Sequence, residues 1–434
     1  MTSIPSTFSQ EKIDTSGQLL SLELQLLLYC ARTHIDAKTE QVIRALLQQE
    51  LDWDYLLHLS ARHGVRPLLS WHLKQISPDL LSPQILSQLK DYLHSSGRRN
   101  LFLTSEILKL LALFKEQEIP VIPFKGPVLT ASIYGNMALR QFSDLDLLVE
   151  EQNFSKAKDL LLDHGYHATT PWFLTEAQRM SVMQDWGEYS LANQNETVYV
   201  DLHKRLVAGY LFSLTADLDY FWDLLQPVTL LGQTVHSFRV EENLLYLCIH
   251  GSKSFWERLI WIVDVAELMQ SDDELNWQQL LKQSQILGCQ RMLLLGCFLA
   301  HNLLDVHLPP EVLSKIDADP QIKSLASQVY QRLSGETQYP CQEDYTMASF
   351  KFHLQVMERL EDKIRYSWKC LIGHTIFPLF KVFRPTAADR EFYELPQAFY
   401  GLYYLIRPFR LIRNFVLLAC KSLGISAPEE ARNR

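Results

Sequence analysis

The chain has 434 residues, of which 47% are hydrophobic, and a formal net charge of −9 from 41 Lys and Arg against 50 Asp and Glu. At roughly 150 residues per domain, this length predicts two or three domains with sizeable cores, and the composition excludes intrinsically disordered and collagen-like chains. The acidic balance argues against a protein that binds polyanions over its whole surface, although it leaves local basic surfaces open.

The first residues, MTSIPSTFSQEKID, lack the basic and apolar regions of a secretory signal, so we expect a cytoplasmic protein. No segment reaches the roughly 18 uninterrupted apolar residues that a membrane span requires. The seven cysteines are scattered and never spaced as CxxC, which fits neither a disulfide framework nor a zinc site. We therefore expect reduced, mostly buried thiols and no zinc.

Helical periodicity dominates the sequence up to about residue 116. A breaker at Pro120 then precedes a short apolar run at 121–124, which predicts a strand that ends in the turn Lys125-Gly126. Pro127 suits the first turn of a helix, and helical spacing continues over 128–134 until Gly135 ends it.

A second strand is predicted at 145–149, followed by a helix at about 154–164 with Gly165 as its C-terminal cap. Two β-rich runs at 189–192 and 197–202, separated by Asn193-Gln194-Asn195, are typical of a hairpin. Helical spacing returns beyond about residue 241. We therefore predict an α+β protein with a small mixed β-sheet core flanked by N- and C-terminal helical regions. The predicted domains are a helical region at 1–116, a catalytic core at 117–238, a helical bundle at 239–338 and a basic helical tail at 339–434.

Two acidic residues lie at the start of the second predicted strand. Asp144 and Asp146 are two residues apart, so the period of a strand directs both carboxylates to one side, where a divalent cation such as Mg²⁺ would balance their charge. Asp201, in the segment VYVDLHKRL, could be brought beside them by a neighbouring strand to complete a three-carboxylate site for two metal ions. Paired acids at a strand end are also common as caps or solvated residues.

The Lys125-Gly126 turn closes the first predicted strand and opens a helix. Gly126 would let backbone N–H groups approach a phosphate closely, and Lys125 would neutralise its charge. The order of elements strengthens the hypothesis of a metal and phosphate site. It runs as a strand, the turn, a helix, a loop with Arg140, the two acids, and a later strand with one acid.

These residues resemble the uncharacterised nucleotidyltransferase family of the DNA-polymerase-β-like superfamily. Its core pattern, KG, then Tyr, then R-x(3)-DxDLLV, is similar to the pattern found here, and the resemblance covers roughly residues 20–415. The matching positions are Lys125, Gly126, Tyr134, Arg140, Asp144 and Asp146. Further similar segments are Gly165-Tyr166, Asp201-Leu202-His203, LLYLCIHGSKSFWERLIWIVDVAEL and LPQAFYGLYYLIRPFRL.

The resemblance implies transfer of a nucleoside monophosphate from an NTP to an acceptor, with Mg²⁺ and release of pyrophosphate. It also implies that Asp144, Asp146 and Asp201 are the metal ligands and catalytic carboxylates. The sequence departs from the superfamily at Pro127, where the usual small pair is Gly-Ser or Gly-Gly. The acceptor is not readable from the sequence and could be a protein, a peptide, an RNA or a small molecule.

Other polar residues are candidates for nucleotide or acceptor contacts. Arg140 and Ser143 are placed to orient the metal-binding loop or a phosphate, and His203 could contact substrate or form an ordinary hydrogen bond. A further group opens the helical region and suits base or acceptor recognition: His250, Lys253, Trp256, Arg258 and Asp264. Trp256 and Trp261 are more often core residues, and Asp264 could instead pair with Arg258 or Lys253.

Two other functions stay open: a nucleotide-binding scaffold without catalysis, favoured by Pro127, and a kinase-like phosphotransferase. The tail is the basic part of this acidic chain, because residues 351–434 hold 14 Lys and Arg against 8 Asp and Glu. Within 400–420, apolar residues alternate with Arg407, Arg410 and Arg413, which predicts docking on the rest of the protein or, as the less favoured alternative, peripheral contact with a membrane.

Overall fold

The computed structural model describes residues 20–169, 187–206, 222, 224–271, 275–335, 342–368, 370, 395–410 and 413. The chain forms two compact units. The first comprises Met1–Ala168 and Trp186–Lys363, and the second comprises Thr169–Asp185 and Ile364–Arg434. All of the α-helices and β-strands defined below lie in the first unit.

Five helices precede the sheet. Side-chain oxygens cap four of them, since Ser21, Asp36, Asp52 and Ser82 each accept a hydrogen bond from a backbone N–H of the first turn. The fourth helix begins with Pro67 near its N-terminus instead. The helices are α1 (Leu22–Cys30), α2 (Ala37–Leu47), α3 (Trp53–Arg62), α4 (Arg66–Ile76) and α5 (Pro83–Glu116).

A five-stranded mixed sheet follows, in the order β1-β2-β5-β4-β3. Strands β2 and β5 are parallel, and the other neighbouring pairs are antiparallel. The strands are β1 (Val121–Phe124), β2 (Asp144–Val149), β3 (Tyr166–Ala168), β4 (Glu188–Asn193) and β5 (Tyr199–His203). Between them lie the short helix α6 (Gly126–Leu129), a π-helical turn (Thr130–Tyr134) and α7 (Phe154–Asp163).

A two-stranded hairpin of β6 (Leu225–Leu230) and β7 (Gln233–Phe238) packs against β1. The hydroxyl of Ser237 donates to the carbonyl oxygen of Pro123 at 2.7 Å, which satisfies a buried acceptor of β1. The hairpin turns at Leu231 and Gly232, both with positive φ, as a two-residue turn of this kind requires. These strands were not expected from the sequence.

Further helices of the described residues follow the hairpin, and their apolar faces supply much of the buried core. They are α8 (Val240–Lys253), α9 (Leu259–Ser271), α10 (Trp277–Leu287), α11 (Gln290–Leu304), α12 (Pro310–Ala318), α13 (Pro320–Leu333) and α14 (Gln342–Val356). In the second unit, a 3₁₀ helix spans Gln397–Leu402, and the backbone N–H of Leu395 donates to the hydroxyl of Tyr403 at 3.0 Å.

The structure confirms the α+β class with a small mixed sheet between helical regions. The five cysteines that the structure describes are free thiols, and four of them are buried. None of the described helices is long and apolar enough to cross a membrane. Cys341 and Cys420 lie outside the described residues, as does most of 411–420, so the docking of that segment stays a prediction.

Candidate active site

The sheet register assembles the central acidic cluster. Asp146 of β2 lies opposite Asp201 of β5, and Asp201 lies opposite Ser190 of β4. His203, two residues beyond Asp201, lies on the same face because side chains alternate along a strand. Ligand atoms of Asp146, Asp201 and His203 all lie within 4.8 Å of one another. The structure therefore brings Asp201 beside Asp146, as the sequence analysis expected, and adds His203.

The Asp146 carboxylate is buried and doubly contacted. Its Oδ1 accepts from Nζ of Lys125 at 3.1 Å and lies 3.1 Å from Nε2 of His203. Burial alone would raise the pKa of Asp146, but the Lys125 charge and the His203 hydrogen bond outweigh it and hold the pKa well below its usual range. Asp146 is therefore ionised at any pH at which the protein would work.

The pKa values of Asp201 and Asp144 are raised, in contrast to that of Asp146. Burial raises the pKa of Asp201; the hydroxyl of Ser190 opposes this by hydrogen bonding to the carboxylate, and the negative charge of Asp146 adds to it. Burial and the charge of Asp146 also raise the pKa of Asp144. Asp144 lines the adjacent pocket and lies outside the cluster of Asp146, Asp201 and His203. Repulsion from neighbouring carboxylates therefore adds to the effect of burial on both pKa values.

Lys125 is half-buried, and its backbone conformation is strained. Its φ of 54° and ψ of −149° lie in a region that residues other than glycine rarely adopt. Its Nζ lies 5.4 Å from the ring centroid of Phe124 and 5.2 Å from that of Tyr246. Burial alone would lower the pKa of Lys125, but Asp146, Tyr246 and Asp144 together outweigh it and raise the pKa, so the ammonium stays charged.

Gly126 is required by the backbone of the turn. Its φ is +36°, and a Cβ at this position would lie 3.4 Å from the carbonyl oxygen of Asp144 and 3.8 Å from the ring of Phe142. The glycine therefore lets the turn after β1 pack closely against the start of β2. This close packing is a second reason for glycine here, beside the approach to phosphate that the sequence analysis expected.

A pocket of about 260 Å³ opens beside the cluster. Its walls combine acidic and basic groups with aromatic rings, and they come from the turn after β1, the loop before β2 and the start of the helical bundle. Residues that line it include Lys125, Arg140, Ser143, Asp144, Asp146, His250, Arg258 and Trp261. Burial, with the Arg140 charge adding to it, lowers the pKa of Arg258. No carboxylate among the described residues forms an ion pair with Arg258.

Arg140 is held by the helical bundle. Its Nε and Nη2 donate to the two carboxylate oxygens of Asp264 in α9 at 2.7 and 2.9 Å, and the hydroxyl of Tyr134 donates to the same carboxylate at 2.6 Å. The alternative that Asp264 pairs with Arg258 or Lys253 is not what the structure shows, because the guanidinium of Arg140 binds both carboxylate oxygens.

The loop at 135–143, between the π-helical turn and β2, is fixed from a second side. Asn100 of α5 donates through Nδ2 to the carbonyl oxygens of Met137 at 2.6 Å and Arg140 at 2.7 Å. Arg140 thus orients the loop that leads to Asp144, which is the first of the two roles that the sequence analysis expected. Its guanidinium is engaged with protein, so a direct phosphate contact stays a prediction.

The remaining candidates divide between pocket and core. Trp256 is fully buried, as expected for a core residue, whereas Trp261 lines the pocket and its ring lies edge-on to that of His250 at 5.4 Å. Burial lowers the pKa of His250 well below its usual range, so this imidazole is neutral. Burial also lowers the pKa of Lys253, which does not line the pocket.

The sequence analysis missed three residues that surround the cluster: Tyr246, Ser190 and Glu188. Tyr246, His250 and Lys253 of α8 follow the i, i+4, i+7 spacing of one helix face, and this spacing could have identified Tyr246. Ser190 and Glu188 could not be found in this way, because only the pairing of β4 with β5 places them opposite Asp201 and His203.

The donor set fits a divalent cation. Two carboxylates and one imidazole converge within 4.8 Å, and oxygen and imidazole nitrogen atoms are ordinary metal ligands. Asp146, Asp201 and His203 would hold such an ion.

Two comparisons with known proteins bear on the chain. A family model described as uncharacterised nucleotidyltransferase matches residues 49–305, which is more than half of the chain. A search of curated proteins finds no match. The matched range includes every residue of the cluster and of the pocket walls.

Proposed function

Because the chain belongs to the uncharacterised nucleotidyltransferase family, we propose that it transfers a nucleoside monophosphate from an NTP to an acceptor and releases pyrophosphate, with the help of a divalent cation. The observation that carries this proposal is the parallel pairing of β2 with β5. It sets Asp146 opposite Asp201 beside a pocket that also contains basic side chains.

The pocket walls suit an anionic substrate. Lys125 and Arg258 contribute positive charge, and Arg258 has no carboxylate partner among the described residues to compete with a phosphate. A guanidinium can bind a phosphate through two parallel hydrogen bonds. We assign Lys125 and Arg258 to contacts with the triphosphate. The neutral rings of His250 and Trp261 are assigned to contacts with the nucleoside.

The chemical step needs an in-line attack and a proton acceptor. The acceptor oxygen forms a bond to the α-phosphorus while the bond from that phosphorus to the pyrophosphate oxygen breaks. Asp201 is placed to receive the acceptor proton, because burial raises its pKa toward the range in which a carboxylate is an effective base. Positioning of the two reactants supplies most of the acceleration.

A metal ion held by Asp146, Asp201 and His203 would neutralise the charge that develops on the transferring phosphoryl group. Lys125 keeps Asp146 ionised and fixed, and Arg140 holds the loop before β2 in place. The all-carboxylate site expected from the sequence would take Mg²⁺, whereas a site that includes His203 also admits ions that bind imidazole.

Product analysis tests the proposal. The purified chain is incubated with each of the four NTPs, a divalent cation and a cell extract as the source of acceptors, and the nucleotide products are identified by mass spectrometry. We expect pyrophosphate together with an acceptor that has gained one nucleoside monophosphate. The mass of that acceptor also shows whether it is a protein, a peptide, an RNA or a small molecule.

Two other outcomes would contradict the proposal. Release of a nucleoside diphosphate would show a kinase-like phosphotransferase, and NTP binding without any product would show a nucleotide-binding scaffold. Asp146→Asn should abolish product formation, whereas Asp163→Asn, at an exposed acid that ends α7, should leave it unchanged.

A further inference from the structure

We propose that the cluster is a site for a transition-metal ion, with Mn²⁺ as the expected occupant in preference to Mg²⁺, because His203 supplies an imidazole ligand. This inference rests on the proposed metal-dependent function and specifies its cofactor. The sequence analysis expected three carboxylates, whereas the structure groups Asp146 and Asp201 with His203 and leaves Asp144 outside the cluster. Imidazole is a poor ligand for Mg²⁺ and a good one for transition metals, while Mn²⁺ shares the preference of Mg²⁺ for carboxylates.

The backbone fixes His203 in the cluster. In the pairing of β2 with β5, Asp146 lies opposite Asp201, and the next position on that face of β5 is His203. A shift of one residue in this register would turn both β5 side chains to the other face. The imidazole is therefore placed by the same strand pairing that places the second carboxylate.

The spacing of the ligand atoms fits a shared ion. Nε2 of His203 lies 3.1 Å from Oδ1 of Asp146. This distance suits a hydrogen bond, and it also matches the roughly 3.0 Å that separates adjacent ligand atoms around an octahedral ion with bonds of about 2.1 Å. Little movement of either side chain is needed to exchange one arrangement for the other.

A carboxylate lies on the far side of the His203 ring from Asp146. The other ring nitrogen of His203, Nδ1, lies 3.9 Å from Oε2 of Glu188, the residue opposite it on β4. A carboxylate that accepts a hydrogen bond from the distal nitrogen orients a ligating imidazole and raises its basicity, and Glu188 would take this role after moving closer by about 1 Å. The ring is buried, and the ring of Phe124 lies edge-on to it at 5.1 Å, so the orientation is fixed by packing as well.

A second imidazole of the same site, that of the half-buried His250, differs from His203. The ring of His250 stacks on Tyr246 at 6.0 Å and lies edge-on to Trp261 at 5.4 Å. It is not part of the cluster of ligand atoms, and it lines the pocket instead. A nitrogen ligand is therefore expected from His203 specifically.

Electron spin echo spectroscopy of the full-length protein with Mn²⁺ tests the proposal. A histidine nitrogen bonded to Mn²⁺ gives a ¹⁴N modulation that changes when the protein contains ¹⁵N-labelled histidine. We expect this modulation in the wild type and in His164→Gln, which removes an exposed histidine, and its loss in His203→Gln. Mn²⁺ bound without nitrogen modulation, or no Mn²⁺ bound at all, would overturn the proposal.

Titrations of the two metal ions supply the second readout. We expect Mn²⁺ to bind at least about tenfold more tightly than Mg²⁺, and His203→Gln to remove most of that difference. Glu188→Gln should weaken Mn²⁺ binding by about tenfold or more and keep the nitrogen modulation. Equal affinities of the wild type for the two ions would contradict the proposal.

These results are separable from the nucleotidyltransferase function. Nitrogen modulation from His203 without any nucleotide product would support the metal site and reject the proposed function. Pyrophosphate release by a protein that shows no nitrogen modulation would reject the imidazole ligand and keep the proposed function.

Discussion

The ion pair between Arg140 and Asp264 should be the strongest single attachment of the 135–143 loop to the helical bundle. Asp264 is fully buried and Arg140 is 7% exposed, with two hydrogen bonds between them and a third from Tyr134. Asp264→Asn removes the charge and directs an amide donor at groups that are themselves donors. We expect a loss of about 3–5 kcal/mol in the free energy of unfolding, because a buried guanidinium is left without its counter-charge.

Urea denaturation of the full chain measures this loss, against a total stability of about 5–15 kcal/mol for an ordinary domain. Asp317→Asn is the matched control: it removes the same group from an ion pair with Lys323 of 2.8 Å that is exposed to solvent. There we expect a change of about 0–1 kcal/mol. The double variant Arg140→Met with Asp264→Leu should cost much less than the sum of its two single variants.

The reasoning would be refuted if Asp264→Asn changed the stability as little as Asp317→Asn does. It would also be refuted if the double variant lost the full sum of the single effects, because the two residues would then act independently.

Three further changes test other parts of the structure. Burial lowers the pKa of His63 from the ordinary 6.5 to about 4, so its contribution to stability is fully present above pH 6.5 and is lost as the pH falls towards 4. We expect His63 to account for about 3 kcal/mol of the stability lost across that interval, measured by urea unfolding as the difference in pH dependence between the wild type and His63→Gln. Gly251→Ala would place a Cβ 2.5 Å from the ring of Trp256 and should lower the free energy of unfolding by about 1–3 kcal/mol. Gly97→Ala lies in another helix with no neighbour closer than 3.4 Å, and it should raise the free energy of unfolding by about 0.5–1 kcal/mol. Equal unfolding midpoints for the two variants would contradict the described packing. Lys125→Ala should reduce the free energy of NTP binding, measured by calorimetry, by more than it reduces the free energy of unfolding. Unchanged NTP affinity would remove Lys125 from the phosphate site.

Local signals in the sequence predicted the elements that build the site. The Lys125-Gly126 turn, the strand that starts at Asp144, the helix that ends before Gly165 and the hairpin of β4 and β5 follow from apolar spacing and turn residues. The β6–β7 hairpin was missed because its turn is Leu231-Gly232, without the Asn or Asp that usually marks such a turn.

The contacts that make the site could not be predicted in the same way. Arg140 and Asp264 are 124 residues apart in the chain, and Asp146 and His203 are 57 residues apart. The position of Asp201 on a later strand and the family resemblance predicted that it lies near Asp146. No such signal connected the other pairs, because the order and register of the strands are set by packing of the whole unit. His203 became a stronger metal candidate than Asp144 only when that register was known.

The most direct measurement follows the α-phosphate of the NTP. The full chain is incubated with NTP labelled at the α-phosphate or at the γ-phosphate, with Mn²⁺ or Mg²⁺ and a cell extract. Asp201→Asn and Asp163→Asn are run in parallel. Asp201→Asn should fold normally and gain stability in the absence of metal, because burial disfavours the charge that it removes.

We predict that the α-label enters an acceptor, that the γ-label leaves as pyrophosphate, and that Asp201→Asn lowers this transfer by about 100-fold or more while Asp163→Asn does not change it. Transfer of the γ-label to the acceptor, or undiminished α-label transfer by folded Asp201→Asn, would contradict the assignment of the Asp146 and Asp201 pair as the centre of a nucleotidyltransferase site.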